Sequence, residues 1–432
     1  MIRKAPFLLL AFFLMLFFSC TKEEEVSNPE ITVNSPQPYT AYSMGDSIPV
    51  IAEIADAEGI TSVKVVLVTE EVAIVNGEIA RSFDGVQTKL EINWNYPLDN
   101  TQLESGLYYL QIQAKSNDGQ KSQYIEVYIS EMAVATEKAM VLSKKQDGNF
   151  HLGDISTDGN YMVRISDLGF KADRMAVNSQ TQQLFLLSAS PGRLRAYDAG
   201  DYQLQWIIEA SQPYSVFTDI FIGPGNVYVS SENGELIGLN SAGNIQFTAE
   251  ADQDYIPRQL AVGEDYVLTY AEKRNGPDRF VRVYYNGTGV YIHQREVEEK
   301  VIEIVPDEND LFYLFANKDN AGRIYACEAE NNELILLKDV NQGMIETVVS
   351  ATENSIYLKA GDYWFRYNTS LNSIMPASYL EQLEVAAYDE IQEAVYVSDG
   401  STVEMITTGN GLTQWSLQVQ PEVKAISVLY NK

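Results

Sequence analysis

The chain has 432 residues, of which 45% are hydrophobic, and a formal net charge of −30. A chain of this length and composition buries enough apolar surface to fold without disulfide staples. The negative charge repels nucleic-acid phosphates and anionic lipid head groups, so we expect no nucleic acid as a partner.

The first predicted element is a signal peptide over residues 1–19. Arg3 and Lys4 give a positive start, residues 7–18 form an unbroken apolar run, and a small residue, Ser19, precedes Cys20. About a dozen apolar residues are too few for a transmembrane helix, which needs roughly 20, but they suit the hydrophobic core of a signal peptide. We therefore exclude this segment from the folded body.

The run from Leu16 to Cys20 resembles the lipobox of bacterial lipoproteins, in the looser form found in Bacteroidota. This resemblance implies that Cys20 is acylated and becomes the new N-terminus. Cys327 is then left without a disulfide partner within the chain. The alternative is an ordinary signal peptide with an incidental cysteine.

A short acidic run follows within the predicted tether, residues 20–30. Lys22, Glu23, Glu24 and Glu25 resemble the export signal that sends Bacteroidota lipoproteins to the outer face of the outer membrane. The resemblance implies a protein that faces the cell exterior and is held in the outer membrane by acyl chains. The alternative is a plain solvated tether, because the leader contains little that can pack.

Residues 31–132 alternate apolar and polar side chains in short runs, and turn clusters separate the runs. This period of two is typical of half-buried strands, and the spacing predicts an antiparallel β-sandwich of about 100 residues. The segment, particularly Gly106–Leu110, resembles the immunoglobulin-like modules of bacterial surface proteins, without the cysteine pair of antibody domains. The predicted strands are Ile48–Ile54, Val63–Val68, Leu90–Trp94, Tyr108–Ala114 and Tyr124–Ile129.

One short motif in this segment concerns modification. Asp46-Ser47-Ile48 resembles the motif at which Bacteroidota attach O-glycans to exported proteins, which implies a glycan on Ser47.

Residues 133–432 contain a repeat of apolar strand centres. Successive centres are separated by 44, 43, 39, 46, 44 and 39 residues. A period of about 42 residues built from four short strands is typical of a propeller blade. The third unit, for example, predicts strands at Phe217–Ile222, Val227–Ser231, Leu236–Leu239 and Ile245–Ala249. The seven centres are Val141, Phe185, Tyr228, Val267, Tyr313, Tyr357 and Tyr396.

The first unit lacks one strand, and the C-terminal run Val423–Leu429 is left unassigned. We predict that this run pairs with the strand near Val141 and closes a ring of seven blades, because closure removes exposed sheet edges. The repeats resemble WD40-like and quinoprotein-like propellers; the alternatives are another all-β solenoid or two stacked sandwiches. The predicted fold is all-β, an immunoglobulin-like β-sandwich followed by a seven-bladed β-propeller.

Residues with catalytic chemistry are sparse. His151 and His293 stand singly in strand-like runs, away from any nucleophile motif, and are too few for a histidine-rich zinc site. The apolar surroundings of Cys327 favour a buried thiol, and the acidic run 307–310 lacks the spacing of an EF-hand and favours a turn. The chain has no C-x-x-C-H haem motif and no tryptophan-rich repeat, so we expect no cofactor, no metal and no assigned catalytic residue.

Aromatic clusters point towards binding. Tyr284-Tyr285 and Tyr363-Trp364-Phe365 would present flat rings to a sugar or a protein, although most propeller aromatics fill the wedges between blades. We expect a non-enzymatic cell-surface binding or scaffold module, an accessory subunit of an outer-membrane transport or assembly complex, with a protein complex or a glycan as partner. The alternative is a surface polysaccharide hydrolase or lyase with carboxylates at the propeller channel.

Overall fold

The structure, a computed structural model, describes residues 28–210, 216–223, 225–249, 252–331, 333–352, 354–380, 384–419 and 422–431. Within these ranges the chain is all-β, with 36 strands, two short 3-10 turns at Glu308–Asp310 and Ser378–Leu380, and no α-helix. The chain divides between Ala133 and Val134 into two compact units.

The first unit consists of two sheets that share one hydrophobic core. Its strands are β1 (Glu30–Ser35), β2 (Thr40–Ser43), β3 (Ser47–Ala55), β4 (Ile60–Val68), β5 (Ile74–Ser82), β6 (Lys89–Pro97), β7 (Gly106–Ser116) and β8 (Gln120–Ser130). One sheet has the order β1-β3-β6 and the other the order β2-β8-β7-β4-β5, in which β2 and β8 are parallel. All five strands predicted here from alternation are present.

Alternation explains which side chains enter this core. In β3, Ile48, Val50, Ala52 and Ile54 are buried, while the residues between them are more exposed. Tyr96 of β6 supplies a polar link across the core, because its hydroxyl oxygen accepts the backbone N–H of Leu67 at 3.0 Å. Leu67 belongs to the opposite sheet, so this bond ties the two sheets together.

The second unit is built from a repeated four-stranded antiparallel sheet, and the described residues contain seven of these. Sheet 1 comprises β9 (Thr136–Lys144), β10 (Phe150–Ser156), β11 (Tyr161–Ile165) and the last strand of the chain. Sheet 2 comprises β12 (Arg174–Asn178), β13 (Gln183–Ser188), β14 (Arg193–Asp198) and β15 (Leu204–Glu209). Sheet 3 comprises β16 (Phe217–Gly223), β17 (Asn226–Ser231), β18 (Leu236–Asn240) and β19 (Ile245–Ala249).

Sheets 4 to 7 continue the same pattern. Sheet 4 comprises β20 (Tyr255–Val262), β21 (Tyr266–Lys273), β22 (Arg279–Tyr285) and β23 (Tyr291–Val297), and sheet 5 comprises β24 (Lys300–Pro306), β25 (Leu311–Lys318), β26 (Ala321–Glu328) and β27 (Glu333–Val340). Sheet 6 comprises β28 (Ile345–Thr352), β29 (Ser355–Ala360), β30 (Tyr363–Asn368) and β31 (Ser373–Pro376). Sheet 7 comprises β32 (Val385–Asp389), β33 (Ala394–Ser398), β34 (Thr402–Thr407) and β35 (Thr413–Gln418). The last strand of the chain is β36 (Glu422–Tyr430).

The C-terminal strand completes sheet 1. β36 pairs antiparallel with β9, the strand that contains Val141, as predicted from the sequence, and Ile426 lies opposite Val141. β36 also contacts both β12 and β32, and the leading strands β12, β16, β20, β24, β28 and β32 each contact the next. The leading strands therefore form a closed cycle, an arrangement typical of a β-propeller.

Apolar wedges fill the space between neighbouring sheets. Phe185 of sheet 2 and Phe217 of sheet 3, for example, belong to one buried cluster. Gly238 of β18 permits the aromatic ring of Phe247 to lie against the strand, because a Cβ atom at residue 238 would stand 2.3 Å from that ring. Cys327 is fully buried, as its apolar surroundings predict.

Candidate functional site

The residues predicted for export and modification divide into two groups. Cys20 and the acidic run 22–25 lie outside the described residues. Ser47 is exposed as the first residue of β3, where it pairs with Pro97. Its hydroxyl is therefore open to solvent, and attachment of a glycan there stays a prediction.

The two histidines occupy separate sheets. His151 is fully buried in β10, and its two ring nitrogens have no hydrogen-bond partner among the described residues. Burial and the nearby positive charge of Lys145 lower its pKa, so the ring is neutral at pH 7. His293 in β23 places Nε2 2.9 Å from the carbonyl oxygen of Glu330. Neither geometry pairs a histidine with a nucleophile.

The acidic run 307–310 forms a turn, as predicted, and one of its carboxylates makes a structural hydrogen bond. Asn309 adopts the left-handed conformation with φ of 55°. The carboxylate of Asp310 accepts the backbone N–H of Asp265 at 3.1 Å, which links the turn to the neighbouring sheet. In the part of the chain that the structure describes, no group of three or more His, Cys, Asp or Glu residues is placed to hold a metal ion.

The leading strands surround a central cavity of about 450 Å³. Four charged residues line it together with apolar side chains from the five strands β12, β16, β28, β32 and β36; the charged residues are Asp173, Arg174, Glu384 and Lys424. Charged and apolar side chains therefore share the lining of this cavity. The apolar lining includes Met175, Ile220, Val348, Val349 and Ile426.

Two acidic side chains lie inside the ring near this cavity. Asp219 of β16 is 2% exposed, and its carboxylate contacts Arg174 at 3.0 Å and accepts backbone N–H groups of Ile220 and Leu260, each at 2.9 Å. Burial nevertheless raises the pKa of Asp219 to about 6. Burial, with the negative charge of Asp219, raises the pKa of Glu303 in β24 to about 7. Neither carboxylate is among the residues that line the 450 Å³ cavity.

A second cavity, of about 680 Å³, lies on sheet 4. We call it the tyrosine cavity. Its residues come from the turn before β20, from β20 itself, and from the outer strands β22 and β23. The lining residues are Asp252, Gln253, Asp254, Tyr255, Arg282, Tyr284, Tyr291 and Gln294.

Strand geometry brings these side chains together. Arg282 and Tyr284 are two residues apart in β22 and therefore share a face of the sheet. Gln294 lies directly opposite Arg282 on β23. Tyr284 belongs to the buried cluster between sheets 3 and 4, so this is the face of sheet 4 that packs against sheet 3.

Arg282 is the centre of the tyrosine cavity. Its side chain is only 8% exposed, and its Nη2 donates to a carboxylate oxygen of Asp252 at 3.0 Å. Its guanidinium carbon lies 4.6 Å from the ring centre of Tyr255, 5.1 Å from that of Tyr291 and 5.8 Å from that of Tyr284. Within the described ranges its Nε has no hydrogen-bond acceptor. Three rings and one carboxylate thus hold a buried cation in place.

Sequence reasoning identified only part of this site. Tyr284 belongs to one of the predicted aromatic clusters and is buried at the cavity wall, whereas its neighbour Tyr285 is exposed. In the other cluster, Trp364 and Phe365 are buried, and Tyr363 is 54% exposed. Arg282 was missed, because a single arginine in an alternating strand carries no signal until its partners are known.

Among the described residues there is no helix long and apolar enough to cross a membrane.

No known protein-family profile matches the chain, and no curated protein matches it. Among solved structures it is similar to a quinonprotein alcohol dehydrogenase-like protein from Bacteroides thetaiotaomicron, with a TM-score of 0.50, 13% identity, and coverage of 93% of this chain and 99% of that chain. It is also similar to the Dos1 propeller (TM-score 0.44, 12% identity, 68% and 89% coverage) and to the RRP9 WD40 repeats (TM-score 0.47, 12% identity, 59% and 83% coverage). At 13% identity the first likeness shows a shared fold, and no activity follows from it.

Proposed function

We propose that the chain is a lipid-anchored protein of the bacterial outer membrane that binds a partner at the cell surface without catalysing a reaction. It acts as an accessory subunit of an outer-membrane transport or assembly complex, and its partner is a protein of that complex or a glycan. The proposed lipid anchor is supported by the signal peptide and by the lipobox-like run that ends at Cys20. The proposed position at the cell surface is supported by the acidic run 22–25.

The proposed body is an immunoglobulin-like sandwich followed by a seven-bladed propeller. Strand order supports the first part, because β1-β3-β6 corresponds to strands A, B and E of an immunoglobulin fold and β8-β7-β4-β5 to strands G, F, C and C′. The closed cycle of leading strands, with β36 between β12 and β32, supports seven blades.

The tyrosine cavity is the observation that carries the binding function. Its volume of about 680 Å³ falls in the range of roughly 300–1,000 Å³ typical of ligand sites, and three tyrosines share its lining with five polar or charged residues. Those polar groups are amides, carboxylates and a buried arginine, and they form no nucleophile and base pair. Such a lining suits recognition.

Affinity capture from detergent-solubilised outer membranes tests this function. We expect the immobilised wild-type chain to retain a defined outer-membrane transport or assembly protein, or a glycan, and the Tyr291→Ala chain to retain much less of it. Tyr363→Ala removes an exposed tyrosine outside the cavity and is the matched control. Equal capture by the wild type and Tyr291→Ala would contradict a role for the cavity.

A polysaccharide hydrolase or lyase is the second candidate, and the raised pKa values of Asp219 and Glu303 favour it. Paired carboxyl groups with raised pKa values are suited to general acid catalysis. Against it, both oxygens of Asp219 already accept hydrogen bonds inside the ring. Release of reducing ends or unsaturated products from polysaccharides by the wild type, lost in Glu303→Gln, would establish the enzyme; bound but uncleaved polysaccharide would support the binding module.

A further inference from the structure

We infer that the tyrosine cavity binds an uncharged sugar ring of a glycan. This inference rests on the proposed binding function and specifies the ligand of the same site. The charges and aromatic rings around Arg282 determine whether a cationic, an anionic or a neutral ligand fits this cavity.

A cationic ligand does not fit, because the site for a cation is already filled. Aromatic rings attract a cation that lies over their faces. In this cavity Tyr255, Tyr284 and Tyr291 all lie around the guanidinium of Arg282, within 4.6–5.8 Å of its central carbon. A second cation would find the ring faces already engaged by Arg282.

An anionic ligand is disfavoured by the same residues. Arg282 is paired with Asp252 at 3.0 Å, so its positive charge is already compensated. Asp254 adds a second carboxylate to the lining, which leaves an excess of one negative charge. The whole chain carries a formal charge of −30, and that field also repels anions.

The remaining class is a neutral molecule that combines an apolar face with many hydrogen-bonding groups. A pyranose ring has this character, because its C–H groups form an apolar face and its hydroxyls project from the edge. Tyr291 is 45% exposed and offers a ring for stacking. The side chains of Gln253 and Gln294 can donate and accept hydrogen bonds, and the carboxylate of Asp254 can accept them. The cavity therefore offers both donors and acceptors to the hydroxyls of a sugar ring.

The cavity is also pre-organised. Arg282 is locked by its ion pair with Asp252 and by the three rings, and Tyr284 is buried in the wedge between sheets 3 and 4. Side chains that are already ordered lose little rotamer entropy when a ligand binds. An uncharged hydroxylated ligand can therefore bind without a large ordering cost.

Isothermal titration calorimetry with the full chain in detergent tests the inference. The probes are neutral xylan, mannan and β-glucan oligosaccharides, anionic oligogalacturonate and cationic chitosan oligosaccharides. We expect at least one neutral probe to bind, and both charged probes to bind at least about fivefold more weakly. Tyr291→Ala is expected to weaken the neutral probe roughly 2- to 10-fold, the loss of one aromatic contact.

Two further variants sharpen the result. Gln294→Ala removes one amide from the cavity and is also expected to weaken binding, whereas Tyr363→Ala on sheet 6 is expected to leave it unchanged. Stronger binding of oligogalacturonate or chitosan, no binding of any neutral probe, or neutral binding that survives Tyr291→Ala would each overturn the sugar assignment.

The two proposals can fail separately. If Tyr291→Ala abolishes capture of an outer-membrane protein while no neutral oligosaccharide binds, the binding function stands and the sugar assignment falls. If neither oligosaccharides nor outer-membrane partners depend on Tyr291, both are overturned.

Discussion

Deletion of residues 422–432 tests whether β36 holds the second unit together. The deletion removes the buried side chains of Val423, Ile426, Val428 and Leu429. Burial of an aliphatic side chain contributes about 1.5–3 kcal/mol, so four contribute about 6–12 kcal/mol. That is comparable to the whole unfolding free energy of a domain, about 5–15 kcal/mol.

The consequences should follow the topology. Without β36, the edge of β9 is exposed and the contacts to β12 and β32 that close the cycle are lost. We expect trypsin to degrade the truncated chain from about Val134 onward, whereas the first unit, which has its own core, remains protected. Mass spectrometry of the fragments and a thermal melt measure both effects. A truncated chain that melts at the full-length temperature would refute the reasoning.

A single substitution gives a graded version of the same test. Leu429→Ala empties a fully buried position and is expected to lower the unfolding free energy by about 2–5 kcal/mol. Lys424→Ala on the same strand is the control, because the Lys424 side chain is 37% exposed where it lines the 450 Å³ cavity, and its ion pair with Glu422 is open to solvent. Its effect should stay within about 0.5 kcal/mol.

Three further predictions concern the lipid anchor, the export signal and the carboxyl group of Glu303. Cys20→Ala should move the protein from the membrane fraction to the soluble fraction, since the acyl chains are lost; retention in membranes would contradict acylation as the anchor. Neutral replacement of residues 22–25 should keep the protein in membranes but reduce its cleavage by external protease on intact cells, and unchanged cleavage would reduce the run to a tether. The pKa of Glu303 is raised to about 7 from an ordinary value of 4.5, so the stability that its protonation supplies is lost as pH rises between those values. Glu303→Gln should therefore be more stable than wild type at pH 8, by about 1–3 kcal/mol in urea denaturation, and the same pH dependence in both chains would contradict this.

Strand positions could be predicted because their signal is local. The third unit predicts Phe217–Ile222 and Leu236–Leu239, and the structure has Phe217–Gly223 and Leu236–Asn240. Apolar and polar side chains must alternate along a strand that is buried on one face, and this alternation can be recognised from consecutive residues. Three strands of the first unit, β1, β2 and β5, were not predicted. β5 is mostly exposed and therefore needs no such alternation.

Pairing of the two ends of the second unit could also be inferred from sequence. Every unit requires four strands, the first had only three, and Val423–Leu429 was the run left over. The requirement that sheet edges be paired makes such counting a physical argument. The structure adds the register, with Ile426 opposite Val141.

The candidate sites were decided by tertiary structure alone. Asp219 and Glu303 belong to different sheets; burial raises the pKa of both, and the negative charge of Asp219 raises that of Glu303 further. Arg282 meets Asp252, Tyr255 and Tyr291 through strand pairing and a turn. The sequence by itself determined where the strands lie, since burial of one face is a property of neighbouring residues. It could not determine which side chains share a cavity, because that depends on distances between segments that only the assembled sheets define.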